Sequence, residues 1–240
     1  MSEIRSERIL SVVRSLPVFR GLTAEDQRRI ASLADVRDYQ RGDVLWNAGD
    51  PAEALTVVIG GRVKIVRHAD AGDVILEIFE AGEPVGAIAV YNYIPYPATA
   101  IAMEPTSLLL LPRREYFELL DRHPEFARSV IRELTKLTLA LTRKVEEMRG
   151  QRVETRIAQL FLSLAERMGK ETAQGIEVPL HLSRQEVAEM VGTTVESAIR
   201  VLARWGREGI LITGEKRFVI PSRDRLREAA EATGPGKPLC

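Results

Sequence analysis

Cysteine is almost missing: Cys240 is the only one in 240 residues. No disulfide framework can form within one chain, which fits a reducing, cytoplasmic setting. The same count excludes an iron–sulfur cluster, which needs four ligands. Histidine is nearly as scarce. His68, His123 and His181 are scattered, none at metal-ligand spacing, so each reads as a surface or turn residue and no metal site is expected. Long apolar runs are also lacking. Runs such as Leu108–Leu111 are far too short to span a bilayer. Met1–Ser15 is charged throughout, and no signal peptide is expected there. Net charge is zero, 34 basic against 34 acidic residues. A uniformly basic coat is therefore excluded, but docking on a polyanion depends on the local field. Arg184, Arg200, Arg204, Arg207, Lys216, Arg217 and Arg223 gather in the C-terminal third.

What the chain does have is Leu182–Ile212, LSRQEVAEMVGTTVESAIRVLARWGREGILI. Ser183 precedes an apolar-periodic run with Glu186 three residues on, a capping-box start. Val187, Ala188 and Val191 form one apolar stripe. Gly192 sits where the chain must turn sharply, at a positive φ that only glycine takes at little cost. Thr193 or Thr194 caps the next helix, whose buried face is Ala198, Val201, Leu202 and Trp205. Glu196 and Arg200, four apart, share another face near its start. A second helix presenting polar side chains from its first turns is the geometry that enters a DNA major groove. A pair of core-filling helices, with Glu196 and Arg200 as a solvated ion pair, is the plainer alternative. Two β-like runs follow, Gly209–Ile212 and Arg217–Ile220, around Gly214-Glu215-Lys216. They predict a wing whose Lys216 and Arg217 reach the phosphate backbone.

The rest of the chain is long enough for a second core. Ile4–Leu16 and Ala24–Ala34 read as helices, the latter capped by Thr23. From Arg37 to Leu111 short apolar runs alternate with glycine turns, predicting a β-sandwich or barrel. Pro124 suits a first helical turn. From Glu125 to about Met148 a heptad-like seam of Val130, Leu134, Leu137, Leu141, Val145 and Met148 predicts a paired helix; an ordinary helix packed on its own domain is the alternative. Gly150 marks a hinge, a helix runs from about Gln151 to Met168, and Gly169–Glu177 reads as a polar loop. Ala229–Cys240 is aperiodic and reads as a frayed tail.

LSRQEVAEMVGTTVESAIRVL resembles the helix-turn-helix of Crp/Fnr transcription regulators, and the likeness runs over roughly residues 15–223. It implies an α+β fold. An N-terminal double-stranded β-roll with its leading helices, of the cyclic-nucleotide-binding and cupin-like jelly-roll kind, spans 1–124. A dimerisation helix and hinge follow at 125–150, a C-terminal winged helix-turn-helix at 151–223 and a tail at 224–240. In the family, the residues aligned with Glu196 and Arg200 read base edges, and those aligned with Arg184, Gln185, Thr194 and Ser197 position phosphates. Val195 stands where the catabolite activator protein has a base-reading arginine, so TVES is nearer the fumarate–nitrate branch; Val195 itself could meet only a thymine methyl or a sugar. Ile199 departs from that branch, where a base-contacting serine is usual. Arginine matches guanine O6 and N7, and glutamate accepts from cytosine N4. The resemblance thus implies a TGA-containing half-site in a palindrome bound by a homodimer. Glu196 is also three residues after Thr193, so a capping role stays open.

Cyclic-nucleotide-binding relatives carry a Gly-Glu pair and, about ten residues later, Arg-Ser-Ala. Here Gly86-Ala87 and Pro97-Ala98-Thr99-Ala100 stand at those places. The glutamate is replaced by Ala87 and the arginine by Pro97 or Ala98. A cyclic phosphate would lack its charge partner, so cyclic AMP is not expected to bind in the usual manner. Val85–Ala100 is instead apolar and aromatic. It resembles regulators of dissimilatory nitrate respiration, linked to haem and nitric oxide. Haem therefore stays open, as does a loop that packs without any ligand. Gly86, Ala87, Tyr93, Ala98, Thr99, Thr138 and Thr142 are the pocket candidates. Double-stranded DNA, a second copy of the chain and RNA polymerase are the implied partners; a small-molecule effector is left undecided, and no membrane partner is expected. Two rivals remain. One is an effector-binding β-roll (cyclic nucleotide, or haem and gas) acting without DNA readout. The other is a cupin-type enzyme, disfavoured because clustered His and Glu ligands are missing.

Overall fold

The computed structural model describes residues 2–68, 72–148, 152–214 and 217–231. They form two compact units, Met1–Leu141 and Thr142–Cys240.

The first unit opens with helix α1 (Ser2–Ser15), a single 3-10 turn (Pro17–Phe19) and α2 (Ala24–Leu33). Thr23 caps α2, its hydroxyl accepting from the Asp26 amide. Strands β1 (Asp35–Tyr39), β2 (Val44–Trp46), β3 (Ala54–Gly60), β4 (Arg62–Arg67), β5 (Val74–Glu80) and β6 (Pro84–Val85) come next, then α3 (Ala87–Tyr91), β7 (Thr99–Ala102) and β8 (Thr106–Pro112). They assemble into two antiparallel sheets, ordered β1-β8-β3-β6 and β2-β7-β4-β5. Strands distant in sequence lie side by side, with Leu55 of β3 opposite Leu111 of β8 and Lys64 of β4 opposite Ile101 of β7. This is the expected β-roll. Leu55, Val57, Val63, Ala100, Leu109 and Leu111 are fully buried in its core. Gly61 (φ 78°) makes the β3–β4 turn, where a Cβ would stand 2.5 Å from the Pro105 carbonyl oxygen.

Two helices close the unit, α4 (Arg113–Arg122) and α5 (Pro124–Met148). Phe126 of α5 stacks on Phe19 at 5.9 Å and meets Tyr116 of α4 edge-on at 6.1 Å. Burial pushes the Tyr116 phenol up to about 12. The division between the units falls inside α5.

The second unit contains α6 (Val153–Met168), β9 (Lys170–Thr172), β10 (Gly175–Val178), α7 (Arg184–Val191), α8 (Val195–Arg207), β11 (Ile212–Thr213), β12 (Phe218–Ile220) and α9 (Arg223–Glu231). Its sheet runs β11-β12-β10-β9. Three expectations are corrected here. Gly169–Glu177 is not a loop: β9 and β10 pair as a hairpin around Ala173-Gln174, with Gly175 (φ 118°) opening β10 opposite Thr172. The first wing strand starts only at Ile212, because Gly209 (φ 63°) and its neighbours still belong to the turn leaving α8. The segment from 224 is not a tail as far as Glu231. Leu226 and Ala230, four apart, are buried on one face of α9, and Thr155 of α6 donates to the Ala230 carbonyl at 3.1 Å. The glycine and proline that suggested a tail begin only at Gly234. Gly150, Lys216 and residues 232–240 lie outside the described residues. Among the described residues no helix is long and apolar enough to cross a membrane.

Candidate functional site

The α7–α8 pair is built from local rules. Ser183 and Glu186 close the capping box: the Ser183 hydroxyl accepts from the Glu186 amide at 3.1 Å, and the Glu186 carboxylate accepts from the Ser183 amide at 2.9 Å. Glu186 is 7% exposed, so the box also gives a buried carboxylate its partners. Gly192 (φ 64°) ends α7 in the left-handed conformation. Arg156 of α6 donates to the Gly192 carbonyl at 3.3 Å, which ties the turn to the unit's core. Ala198, Val201, Leu202 and Trp205 are buried, as their spacing requires.

The start of α8 decides between Thr193 and Thr194. Thr194 is the cap, its hydroxyl accepting from the Ser197 amide at 3.3 Å. Glu196 is thus one residue short of the capping-box position and does not serve as a cap. Among the described residues it has no hydrogen-bond or ion-pair partner. Arg200 makes only a long contact to Ser197, 3.4 Å, and does not pair with Glu196. Both side chains are exposed. Arg204, one turn further, is committed to Glu154 of α6 at 3.4 Å. The outward stripe of α8 is therefore Glu196, Ile199, Arg200 and Ala203, with Val195 half-buried at its edge.

The flanking candidates are placed as follows. Arg184 is half-buried at the start of α7 and donates to Thr213 of the wing at 3.4 Å. Gln185 bonds Glu189 at 2.7 Å. Thr194 and Ser197 both serve the α8 cap. Arg217 pairs with Glu177 of β10 at 2.8 Å yet stays half exposed. A phosphate would compete with Glu177 for it.

The sensor candidates are placed as follows. Gly86 (φ 73°) precedes α3, and a Cβ there would meet the Tyr96 ring at 2.6 Å. That ring is stacked on Trp46 with centroids 4.1 Å apart. Tyr96 is held at both backbone groups, its amide donating to Asp50 and its carbonyl accepting from Gly49. Burial pushes its phenol up, and the Thr56 side chain opposes this. Ala87 is buried at the start of α3. The Trp46 indole donates to the Ala98 carbonyl at 3.2 Å, and Thr99 accepts from the Ala48 amide at 3.1 Å. Tyr93 points the other way. It is 64% exposed at φ 55°, stacks on Phe117 and lies under the Arg113 guanidinium at 4.8 Å. Sequence periodicity could not separate Tyr96 from Tyr93, because the bend after α3 turns one inward and the other outward. Thr138 is exposed and donates to the Leu134 carbonyl at 2.9 Å, an ordinary helix back-bond. Thr142 is exposed.

On α5, Val130 is buried in its own chain's core and Leu134 packs against that core. The side chains of Leu137, Leu141, Val145 and Met148 lie outside the described residues. Ile131 and Leu139 are large apolar residues left 61% and 54% exposed on this helix. The histidines are apart: His68 beside Asp73, His123 beside Asp26, and His181 exposed. Among the described residues no cluster of three or more potential ligands could hold a metal ion.

Comparison with known proteins finds a match for each unit. Residues 36–123 match the cyclic nucleotide-binding domain family, and residues 155–229 match the Crp-like helix-turn-helix domain family. The chain is 27% identical to the cyclic AMP receptor protein of Thermus thermophilus, over 91% of this chain and 95% of the relative. It is 25% identical to the fumarate and nitrate reduction regulatory protein of Yersinia pestis, over 81% of this chain and 78% of the relative. The c-di-GMP-responsive global regulator CLP of Xanthomonas campestris superposes with a TM-score of 0.70 at 26% identity, over 83% of this chain and 100% of the other. A sensor roll followed by a winged helix-turn-helix, each matched in order along the chain, makes this protein a member of the Crp/Fnr family of transcription regulators.

Proposed function

We propose that the protein is a homodimeric regulator that reads a palindromic DNA site through α8, with a TGA-containing half-site. The observation that carries this is the outward start of α8: Glu196 without a partner among the described residues and Arg200 nearly so, both in solvent. Ser197 and Arg204 of the same helix are engaged, whereas the side chains left unpaired at its start are available for a base edge. Arg200 would take guanine O6 and N7 and Glu196 the cytosine N4 amino group. Arg184, Gln185, Thr194, Ser197 and the wing residues Lys216 and Arg217 would hold phosphates and set the register. Pairing through α5 would put two copies of α8 into successive major grooves, about 34 Å apart. RNA polymerase is the partner such a regulator would act through.

The β-roll would bias this arrangement if an effector bound one orientation better than another. Cyclic AMP does not fit as that effector. Ala87 offers a ribose hydroxyl no carboxylate, Pro97 and Ala98 offer a phosphate no cation, and the Tyr96 ring packs on Gly86. Titration calorimetry with cyclic AMP should give no saturable heat.

Selection of bound fragments from a random-sequence DNA pool tests the DNA reading. The expected product is a two-fold symmetric site with half-sites one helical turn apart. Recovery of an unsymmetrical site, or of no sequence preference at all, would overturn it.

A further inference from the structure

We infer that Ile199 is a specificity-determining residue that reads the C5 methyl group of a thymine in each half-site. The inference rests on the major-groove reading of α8 proposed above.

Ile199 lies on the outward stripe of α8, 47% exposed, between Glu196 and Arg200. Nothing in its own unit requires an isoleucine there, because the buried face is already supplied by Ala198, Val201, Leu202 and Trp205. In the second unit the exposed large hydrophobics among the described residues are Ile199 and Ile212. The first is on α8 and the second is on the wing strand β11, the two elements assigned to face DNA. The uncovered apolar surface of this unit is thus found where the polar readout is found.

The helix arranges these side chains in two parallel rows. Glu196 and Arg200 are four apart and form a polar row; Val195 and Ile199 are four apart and form an apolar row beside it. Each row spans about 6 Å along the axis, close to two base-pair steps of about 3.4 Å. A major groove offers one apolar feature at a base edge, the thymine methyl, whose apolar contacts are the expected match for an aliphatic side chain. Ile199 carries no donor or acceptor, so any hydrogen-bonding edge placed against it would lose its water without compensation. The row therefore favours thymine and disfavours the other three bases at that step. Val195, being half-buried, offers less surface, so Ile199 carries the contact.

The test replaces each thymine of the selected site in turn by deoxyuridine, which keeps the pairing and removes only the methyl. Wild-type protein should lose about fourfold in affinity at one thymine per half-site, the equivalent of one buried methyl. Ile199→Ala and Ile199→Ser should bind the thymine and uracil sites equally while still requiring the guanine. Equal wild-type affinity for both sites would overturn the inference, as would an undiminished thymine preference in Ile199→Ala. If wild-type protein does not distinguish the selected site from random DNA, the DNA reading itself falls, a result separable from either of these.

Discussion

Arg200 and Glu196 stand one helical turn apart with opposite charges, and still they do not pair. An exposed pair of this kind is worth only a few tenths of a kcal/mol, so little intrachain energy opposes their engagement by DNA. Arg204 differs, since Glu154 already holds it. Replacing Arg200 by alanine should therefore cost about 1–3 kcal/mol on the cognate site and leave salt-dependent binding to random DNA nearly unchanged. Competition binding on both DNAs checks this; equal weakening on the two would remove Arg200 from base reading. Gly86 works at the same scale but for stability. Its positive φ resists a side chain, and so does the Tyr96 ring, which a Cβ would approach to 2.6 Å. Gly86→Ala should destabilise the roll by about 1–3 kcal/mol, seen as a lower midpoint in urea unfolding.

At the scale of elements, the second unit depends on a helix that composition alone disguised. Helix α9 follows the wing and rests Leu226 and Ala230 on α6. Leu226 is fully buried. Leu226→Ala should cost about 2–5 kcal/mol, transfer plus cavity, whereas a frayed tail would tolerate the change. Thermal unfolding of the full chain distinguishes the two. The helix-turn-helix itself is held by hydrogen bonds at its joints, the Ser183 capping box, the Thr194 cap and the Arg156 bond to Gly192. Each fixes how α8 leaves its neighbours, and hence where Glu196, Ile199 and Arg200 are aimed.

For the whole molecule, the proposed reading turns on association. A palindromic site needs two copies of α8, and the heptad-like seam on α5 is the proposed means. Val130 and Leu134, at the start of that seam, already pack on their own roll. The later positions, Leu141 and Val145, are the ones to test. Charging both, as Leu141→Lys with Val145→Lys, should convert the proposed dimer to monomers in sedimentation equilibrium. Affinity for the full palindrome should fall by orders of magnitude, while binding to a single half-site changes little. A double variant that stays dimeric would move the interface elsewhere, with exposed Ile131 and Leu139 as the next face to probe.

The helix-turn-helix was legible from residue order because its determinants are local. A cap lies three residues from its partner, a glycine marks the left-handed turn, and apolar residues repeat every three or four positions. The same holds for Thr23 before α2; the alternation of short strands and glycine turns gives only a sandwich or barrel, and the β-roll is what the family resemblance implies. Long-range packing decided the rest. Whether Thr193 or Thr194 caps α8 depends on where the turn at Gly192 releases the chain. Whether Tyr96 or Tyr93 fills the space beside Gly86 depends on Trp46, fifty residues away at the end of β2. The paired strands β9 and β10, and the burial of α9 on α6, exist only because β12 and α6 are there to receive them. Local hydrogen bonds and periodicity are written within a few residues, whereas burial is a property of surfaces that meet only after the chain has folded.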